Sequence, residues 1–264
     1  MFFIKSFYKS LYDFKYYTEL NKQKIWKGFL YLSILSIILG IVIYLPVGKA
    51  NVAEYDRLYD IFKNNSPDFS ITTDGMKVAG KSPYTIYDEA NKGLLIIIDD
   101  TGTVDEYAYD DYASLFLILK NRVYIKSYIY NDSVTYDYIF SILPNTVIDK
   151  PMLLSYLSLL KQTNFFFIML LVLFFVITAQ LGALVIGMFS RVITLFRKKT
   201  NMPLKNAYNI ACYASTLPLL VISIIVLFNV NFQYMQLIYI LIGILYFINA
   251  TNHIYPNIEP LKNS

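Results

Sequence analysis

Cysteine occurs once in this chain, as Cys212; histidine also occurs once, as His253, and tryptophan once, as Trp26. A single cysteine excludes an intramolecular disulfide, so any soluble part must hold together on its apolar core. With one cysteine, one histidine and no H-E-x-x-H spacing, zinc-type centres and Ser-His hydrolysis are not expected. No cofactor and no metal is expected. Acidic and basic residues are missing from the centre of every long apolar run. Proton relays, voltage sensors and most ion-coupled transporters need such residues. There is no long-period repeat and no low-complexity tract.

Apolar sequence is present in excess. Of 264 residues 56% are hydrophobic, too many for an ordinary soluble domain. Four runs stand out, 28–47, 165–189, 210–230 and 237–255. Each meets the length of about 20 apolar residues that crosses a bilayer core. The charges divide with them. Segments 1–27, 190–209 and 256–264 together carry 12 Lys/Arg against 3 Asp/Glu, whereas 48–164 carries 11 against 16. Short cytoplasmic segments hold the excess of Lys and Arg. The expectation is an α-helical integral membrane protein of four transmembrane helices with an inserted extracytoplasmic α+β domain. Both termini would be cytoplasmic. The overall charge of +4 is the sum of these two sides and gives no nucleic-acid signal. The cysteine usage and the abundance of Asn, Ile, Lys and Tyr suit a bacterial plasma membrane.

Residues 1–27 read as a basic amphipathic helix on the cytoplasmic side, with Ile4, Phe7, Tyr8, Leu11 and Phe14 at helical spacing and Lys5, Lys9 and Lys15 between them. Trp26 stands where an interfacial anchor belongs. The run 28–47 is a signal anchor rather than a cleaved signal, because so long a basic segment precedes it. Within 48–164, Val52, Tyr55, Leu58, Tyr59 and Phe62 share a helical face, with Asn51 as its cap. Strands are expected near 69–72, 77–79, 84–87, 94–98 and 122–130, and Asp74-Gly75 signals a hairpin. The stretch 112–119 reads as strand or helix. Asp149 caps a helix with Pro151 in its first turn, running directly into 165–189. Segment 190–209 is a basic cytoplasmic loop and 256–264 a cytoplasmic tail. Spans 210–230 and 237–255 form a tight hairpin, and Pro218 kinks the former. Ala179, Gly182, Ala183 and Gly187 form a small-residue packing face.

Two constellations carry chemical interest. The string GLLIIIDDTGT at 93–103 ends a strand in Asp99, Asp100, Thr101 and Gly102. Asp99 could be a phosphoryl-accepting nucleophile, or Asp100-Thr101-Gly102 one half of an aspartic-protease dyad. The simpler alternative is a D-x-x-G turn, in which Asp bonds its own backbone and Gly supplies positive φ. With Asp110 and Asp111 in the same Tyr-rich stretch, these residues form a candidate outer docking region. The second constellation is an intramembrane polar cluster of Tyr213, Thr216, Asn249, Asn252 and His253. Such groups act as interhelical glue or line a polar cavity.

The layout resembles a bacterial family of uncharacterised multispan membrane proteins, some of whose members are labelled maltodextrin utilisation proteins. The likeness lies in FYKSLYDFKYY before the first span, LIIIDDTG in the inserted domain and YNIACYASTLPLL opening the third span. The family's strand commonly ends D-T-T-G; here Asp99, Thr101 and Gly102 match and Asp100 replaces the first Thr. The resemblance implies a topology and a link to carbohydrate uptake, and no catalytic residue. The leading expectation is a non-enzymatic accessory or sensing component. A small transport component using the polar cluster is the alternative, and an enzyme using Asp99 or Asp100 the third. Expected partners are the lipid bilayer and another membrane protein or a further copy of this chain.

Overall fold

The computed structural model describes residues 2–87, 94–105, 109, 112, 114–126, 131–144, 146–198, 202–228 and 234–255. They form two compact units, a helical one of residues 1–49 and 165–264, and an α/β one of residues 50–164.

The helical unit begins with α1 (Phe2–Tyr12), a 3₁₀ turn (Phe14–Tyr16) and α2 (Tyr17–Asn21). The single helix expected over 1–27 is therefore divided. Asp13 is the reason: its carboxylate accepts the Tyr16 N–H at 3.3 Å, offering the backbone a fresh cap where the first helix would have continued. Next comes α3 (Ile25–Asn65), which runs unbroken through Pro46. Asn51, expected to cap a separate helix, lies inside it. Gly48, the residue there best suited to a left-handed stop, stays helical, and a proline removes only one N–H.

In the α/β unit the strands are β1 (Phe69–Thr72), β2 (Gly75–Val78), β3 (Tyr84–Tyr87), β4 (Leu94–Ile98), β5 (Ser114–Ile118), β6 (Arg122–Lys126), β7 (Asn131–Thr135) and β8 (Ile148–Asp149), with α4 (Tyr136–Ile142) between the last two. They make a three-stranded sheet, β2-β1-β8, and a five-stranded sheet, β3-β4-β5-β6-β7. Gly75 pairs with Thr72 across the β1–β2 hairpin and takes φ +109°. A Cβ there would come within 3.0 Å of the Lys120 carbonyl, so only glycine fits.

The pair β4–β5 is parallel, with Leu94 opposite Ser114 and Ile98 opposite Ile118. A parallel pair needs a long crossover, and parallel strands are usually covered on both faces. Here Ile96 and Ile98 pack with Phe62, Ile71, Met76, Ile118 and Phe140 on one side. Leu95 and Ile97 pack with Leu115, Leu117 and Tyr124 on the other, under Val104, Tyr109 and Tyr112 of the crossover. That explains the uninterrupted LLIII. The ambiguous stretch 112–119 holds strand β5, which shares this two-sided burial.

The Asp149 carboxylate accepts the Met152 N–H at 2.8 Å and opens α5 (Lys150–Lys198), which continues through the second apolar run. The basic stretch expected as a loop is helical to Lys198 and again from α6 (Leu204–Ala214). At Ser215 the chain breaks by 40° into α7 (Thr216–Leu227). The break follows Ala214, whose carbonyl loses its partner because Pro218 has no N–H. Finally comes α8 (Met235–Ile254). Helices α3, α5 and α8 are long and apolar enough to cross a membrane, and the bent pair α6–α7 makes a fourth if counted as one span.

Burial in the helical unit mixes large and small residues. Tyr17, Tyr31, Leu32, Tyr213 and Phe247 are buried together with Ala179, Ala183, Ala207, Ala211, Cys212, Ser190, Asn209 and Thr216. Many other large apolar side chains face out: on α5, Phe165 is 70% exposed and Phe174 63%. Small residues let the helices approach. A Cβ on Gly182 would sit 2.4 Å from the Tyr239 ring, and one on Gly28 2.3 Å from Asn209 Oδ1.

Candidate functional site

Asp99 ends β4 and is fully buried. One carboxylate oxygen accepts the Thr101 N–H at 2.9 Å and the Thr101 hydroxyl at 2.6 Å; the other accepts the Val104 N–H at 3.0 Å. Ser82 donates to Asp99 at 3.4 Å and accepts the Asp100 N–H at 3.1 Å. The Asp100 carboxylate accepts the Val78 N–H at 2.9 Å. Gly102 takes φ +79°. This is the D-x-x-G turn in full: carboxylate, two-residue step, hydroxyl and positive-φ glycine.

Burial pushes the Asp99 carboxyl up, but the bonds from Thr101, Val104 and Ser82 outweigh it and hold it below the ordinary value of 3.8. Ser82 and the Val78 N–H likewise hold Asp100 down. Both Asp99 oxygens are committed to backbone and hydroxyl donors, so the carboxylate is a fastener of the crossover. A nucleophile would have to leave those bonds. Thr101 and Gly102 are exposed. Asp110 and Asp111 lie outside the described residues.

Beside this turn lies a polar concavity of about 450 Å³ that no single motif announces. Three turns build it: Thr73-Asp74-Gly75 of the β1–β2 hairpin, Gly102, and Lys120-Asn121 between β5 and β6, with Thr135 and Asp137 at the start of α4. They are held together at the backbone. Met76 N–H donates to Lys120 O at 3.1 Å, and Tyr136 N–H to Asn121 O at 3.1 Å. The buried Tyr136 hydroxyl donates to Leu119 O. Among the described residues no ion pair engages Lys120, Asp74 or Asp137. An ammonium, two carboxylates, an amide and two hydroxyls therefore face one space. This set suits a polar ligand with both donors and acceptors. Asp74-Gly75 and the D-x-x-G string were legible as turns. Lys120, Asn121 and Asp137 were not, because only the sheet pairing brings them together.

In the helical unit the five polar residues separate. The Thr216 hydroxyl lies 2.7 Å from the Tyr31 hydroxyl and 3.0 Å from that of Ser10. The Tyr213 ring stacks on Tyr31 at 4.6 Å, and its hydroxyl donates to Gln23 at 3.3 Å. Both residues thus face α1, the α2–α3 link and α3. His253 stacks on Phe14 at 6.3 Å, Asn252 is half-buried and Asn249 is exposed. No hydrogen bond joins Tyr213 or Thr216 to Asn249, Asn252 or His253 among the described residues. The polar contacts that hold this unit are others. Asn209 donates to Leu20 O at 2.7 Å, Tyr246 to Leu11 O at 2.9 Å, and Gln180 to Phe29 O at 3.0 Å and Ser33 at 2.8 Å. Two of these four fasten the N-terminal segment to the helices, and the two from Gln180 join α5 to α3. An apolar cavity of about 400 Å³ between α3, α5, α7 and α8 is lined by Tyr44, Phe175, Thr178, Gly182, Leu219 and Tyr239.

Neither a curated protein nor a solved structure matches this chain. A family does, over residues 4–251, from α1 through nearly all of α8. The chain belongs to that family, which is described as "Protein of unknown function (DUF1189)".

Proposed function

We propose that this chain is a non-enzymatic accessory or sensing protein of a bacterial plasma membrane. It crosses the bilayer four times, keeps both termini in the cytoplasm and presents the α/β unit outside. Two things support the membrane reading. Long apolar helices that leave many large apolar side chains outward, and that approach one another through small residues, are what a hydrocarbon solvent favours. The Lys/Arg excess in 1–27 and 190–209 fits the inner leaflet.

The observation that carries the docking role is the concavity of about 450 Å³ on the α/β unit. The other conspicuous polar groups nearby, Asp99 and Asp100, are spent on the turn itself. What is left facing out is Asp74, Lys120, Asn121 and Asp137, a set able to hold a polar solute or a partner's polar loop. A link to carbohydrate (maltodextrin) uptake rests on the family resemblance described above, and sugars fall within the chemistry of that set.

The test is cross-linking in native membranes, mild extraction and mass spectrometry of what co-purifies. A stoichiometric transporter or signalling partner, lost on Lys120→Ala with Asp137→Asn, is the expected result. Recovery of this chain alone, or a partner indifferent to both substitutions, overturns the docking role.

A further inference from the structure

The structure splits the aromatic stripe of α1 in a way the spacing alone did not. Phe3 and Phe7 pack against the helical core, beside the fully buried Ser6 and Ser10. Ile4, Tyr8 and Tyr12, one turn apart from each other, stay 69%, 64% and 64% exposed. With α1 anchored through Ser10 to Thr216 and through Leu11 O to Tyr246, this outward row is fixed in direction rather than free to rotate inward. Lys5 and Lys9 border it at the helical angle of about 100° per residue. Trp26, at the start of α3, is also exposed at 54%.

Next to the row, Phe2, Phe3, Leu30, Tyr31 and Ile34 line an apolar groove of about 280 Å³ with Lys27 at its side. The Lys27 ammonium stands 5.4 Å over the Phe2 ring. Residues 1–27 carry 6 Lys against 2 acidic residues, Asp13 and Glu19. The pairs Lys5–Glu19 at 3.8 Å and Lys9–Asp13 at 3.3 Å leave Lys15, Lys22, Lys24 and Lys27 in excess. An apolar row bordered by Lys5 and Lys9, on a segment with four further lysines in excess, complements one surface in particular, a leaflet of anionic phospholipid.

We infer that α1 is an anionic-lipid binding element: Ile4, Tyr8 and Tyr12 embed at the headgroup level, and the groove beside Lys27 takes one acyl chain of an anionic phospholipid. This rests on the membrane reading proposed above. A lysine at such a surface strengthens anionic-lipid binding about fivefold. The same element is held to the helical core by the Ser10–Thr216–Tyr31 contacts, so lipid binding and helix packing meet on one short segment.

The experiment uses the full chain in vesicles of phosphatidylcholine doped with about a quarter phosphatidylglycerol. Spin labels are placed singly by Tyr8→Cys and, as a reference on α3, Ile38→Cys; Cys212 is fully buried and stays unlabelled. Relaxation by oxygen should dominate relaxation by a water-soluble nickel reagent at both sites, with the Tyr8 label nearer the surface. Native mass spectrometry should show phosphatidylglycerol retained over phosphatidylcholine, and Lys5→Gln with Lys27→Gln should cut that preference about 25-fold. A water-exposed Tyr8 label with a lipid-exposed Ile38 label overturns this inference alone. So does a Tyr8 label shielded from both reagents, which means a protein partner or a second copy covers the row. An unchanged lipid preference in the double variant overturns the headgroup role. A water-exposed Ile38 label defeats the membrane reading and this inference with it.

Discussion

The two units differ in what they leave outside. In residues 50–164 the branched apolar side chains are inside: Ile96, Ile97 and Ile98 are at most 1% exposed, and the polar turn residues are tied to the rim. In the helical unit large side chains lie on both sides: Tyr17, Tyr31, Leu32, Tyr213 and Phe247 are buried among alanines and serines, while many phenylalanines and leucines of the apolar helices point out. On the membrane reading proposed above, the same alphabet is read against two solvents. In water, burying apolar area drives folding. Against hydrocarbon that drive between helices vanishes, and close approach and interhelical hydrogen bonds take over.

The contrast makes its strongest prediction in the strand core. Ile96→Ala should destabilise the α/β unit by about 2–5 kcal/mol. Phe174→Ala, which removes a larger apolar side chain from α5, should change the stability of the helical unit by less than about 1 kcal/mol, because in lipid it leaves no cavity. Hydrogen exchange of β4 and of α5, measured on the reconstituted chain, separates the two. Equal losses at both positions would erase the distinction.

Adding volume inverts the ranking. Gly182→Val drives a side chain into the Tyr239 ring and should cost the helical unit about 1–3 kcal/mol, read as a lowered thermal midpoint in detergent. A comparable gain in volume at Gly80 of the α/β unit meets nothing within 4 Å, though its φ of +107° still strains a side chain.

At the turn, Asp99→Asn should cost about 1–2 kcal/mol and loosen the 99–104 segment without unfolding the sheet. The pH dependence has a definite sign. Asp99 and Asp100 are lowered in the folded chain, so their contribution is complete above the ordinary value of 3.8. It is lost as pH falls below that and through the folded values. Acid unfolding of the α/β unit should therefore be shallower in the Asp99→Asn variant below about pH 4.

The smallest expected effect is at the helix break. Thr216→Val removes the hydroxyl shared by Ser10 and Tyr31, and such contacts in membranes average about 0.6 kcal/mol. The expected sign is faster proteolysis of residues 2–21, with α5 and α8 unaffected.

Which elements were legible follows the same division. The Asp74-Gly75 hairpin, the LLIII strand, the Asp99 turn and the Asp149 cap were all readable, because each is encoded by neighbours within a few residues. The continuation of α3 past Pro46 and the break of residues 1–27 at Asp13 were not. Both depend on whether a local signal is overridden or reinforced by packing. The polar cluster in the helices failed to assemble as grouped for a related reason. Periodicity puts Asn249, Asn252 and His253 on one side of α8 but says nothing of which neighbour that side meets. The concavity at Lys120 and Asp137 needed the β5–β6 and β6–β7 registers before its members could be seen as one set.

One pairing has a consequence for how the chain is made. Strand β1 takes β8 as a neighbour, with Ser70 opposite Asp149 and Ile71 opposite Ile148. The first strand synthesised thus waits for the last. Until Ile148 has emerged from the ribosome, one edge of β1 is open to any other extended chain nearby, and a product truncated before that residue would keep it open. The residue that ends the wait, Asp149, is also the one that starts α5, so closure of the small sheet and initiation of the longest helix fall at the same moment of synthesis.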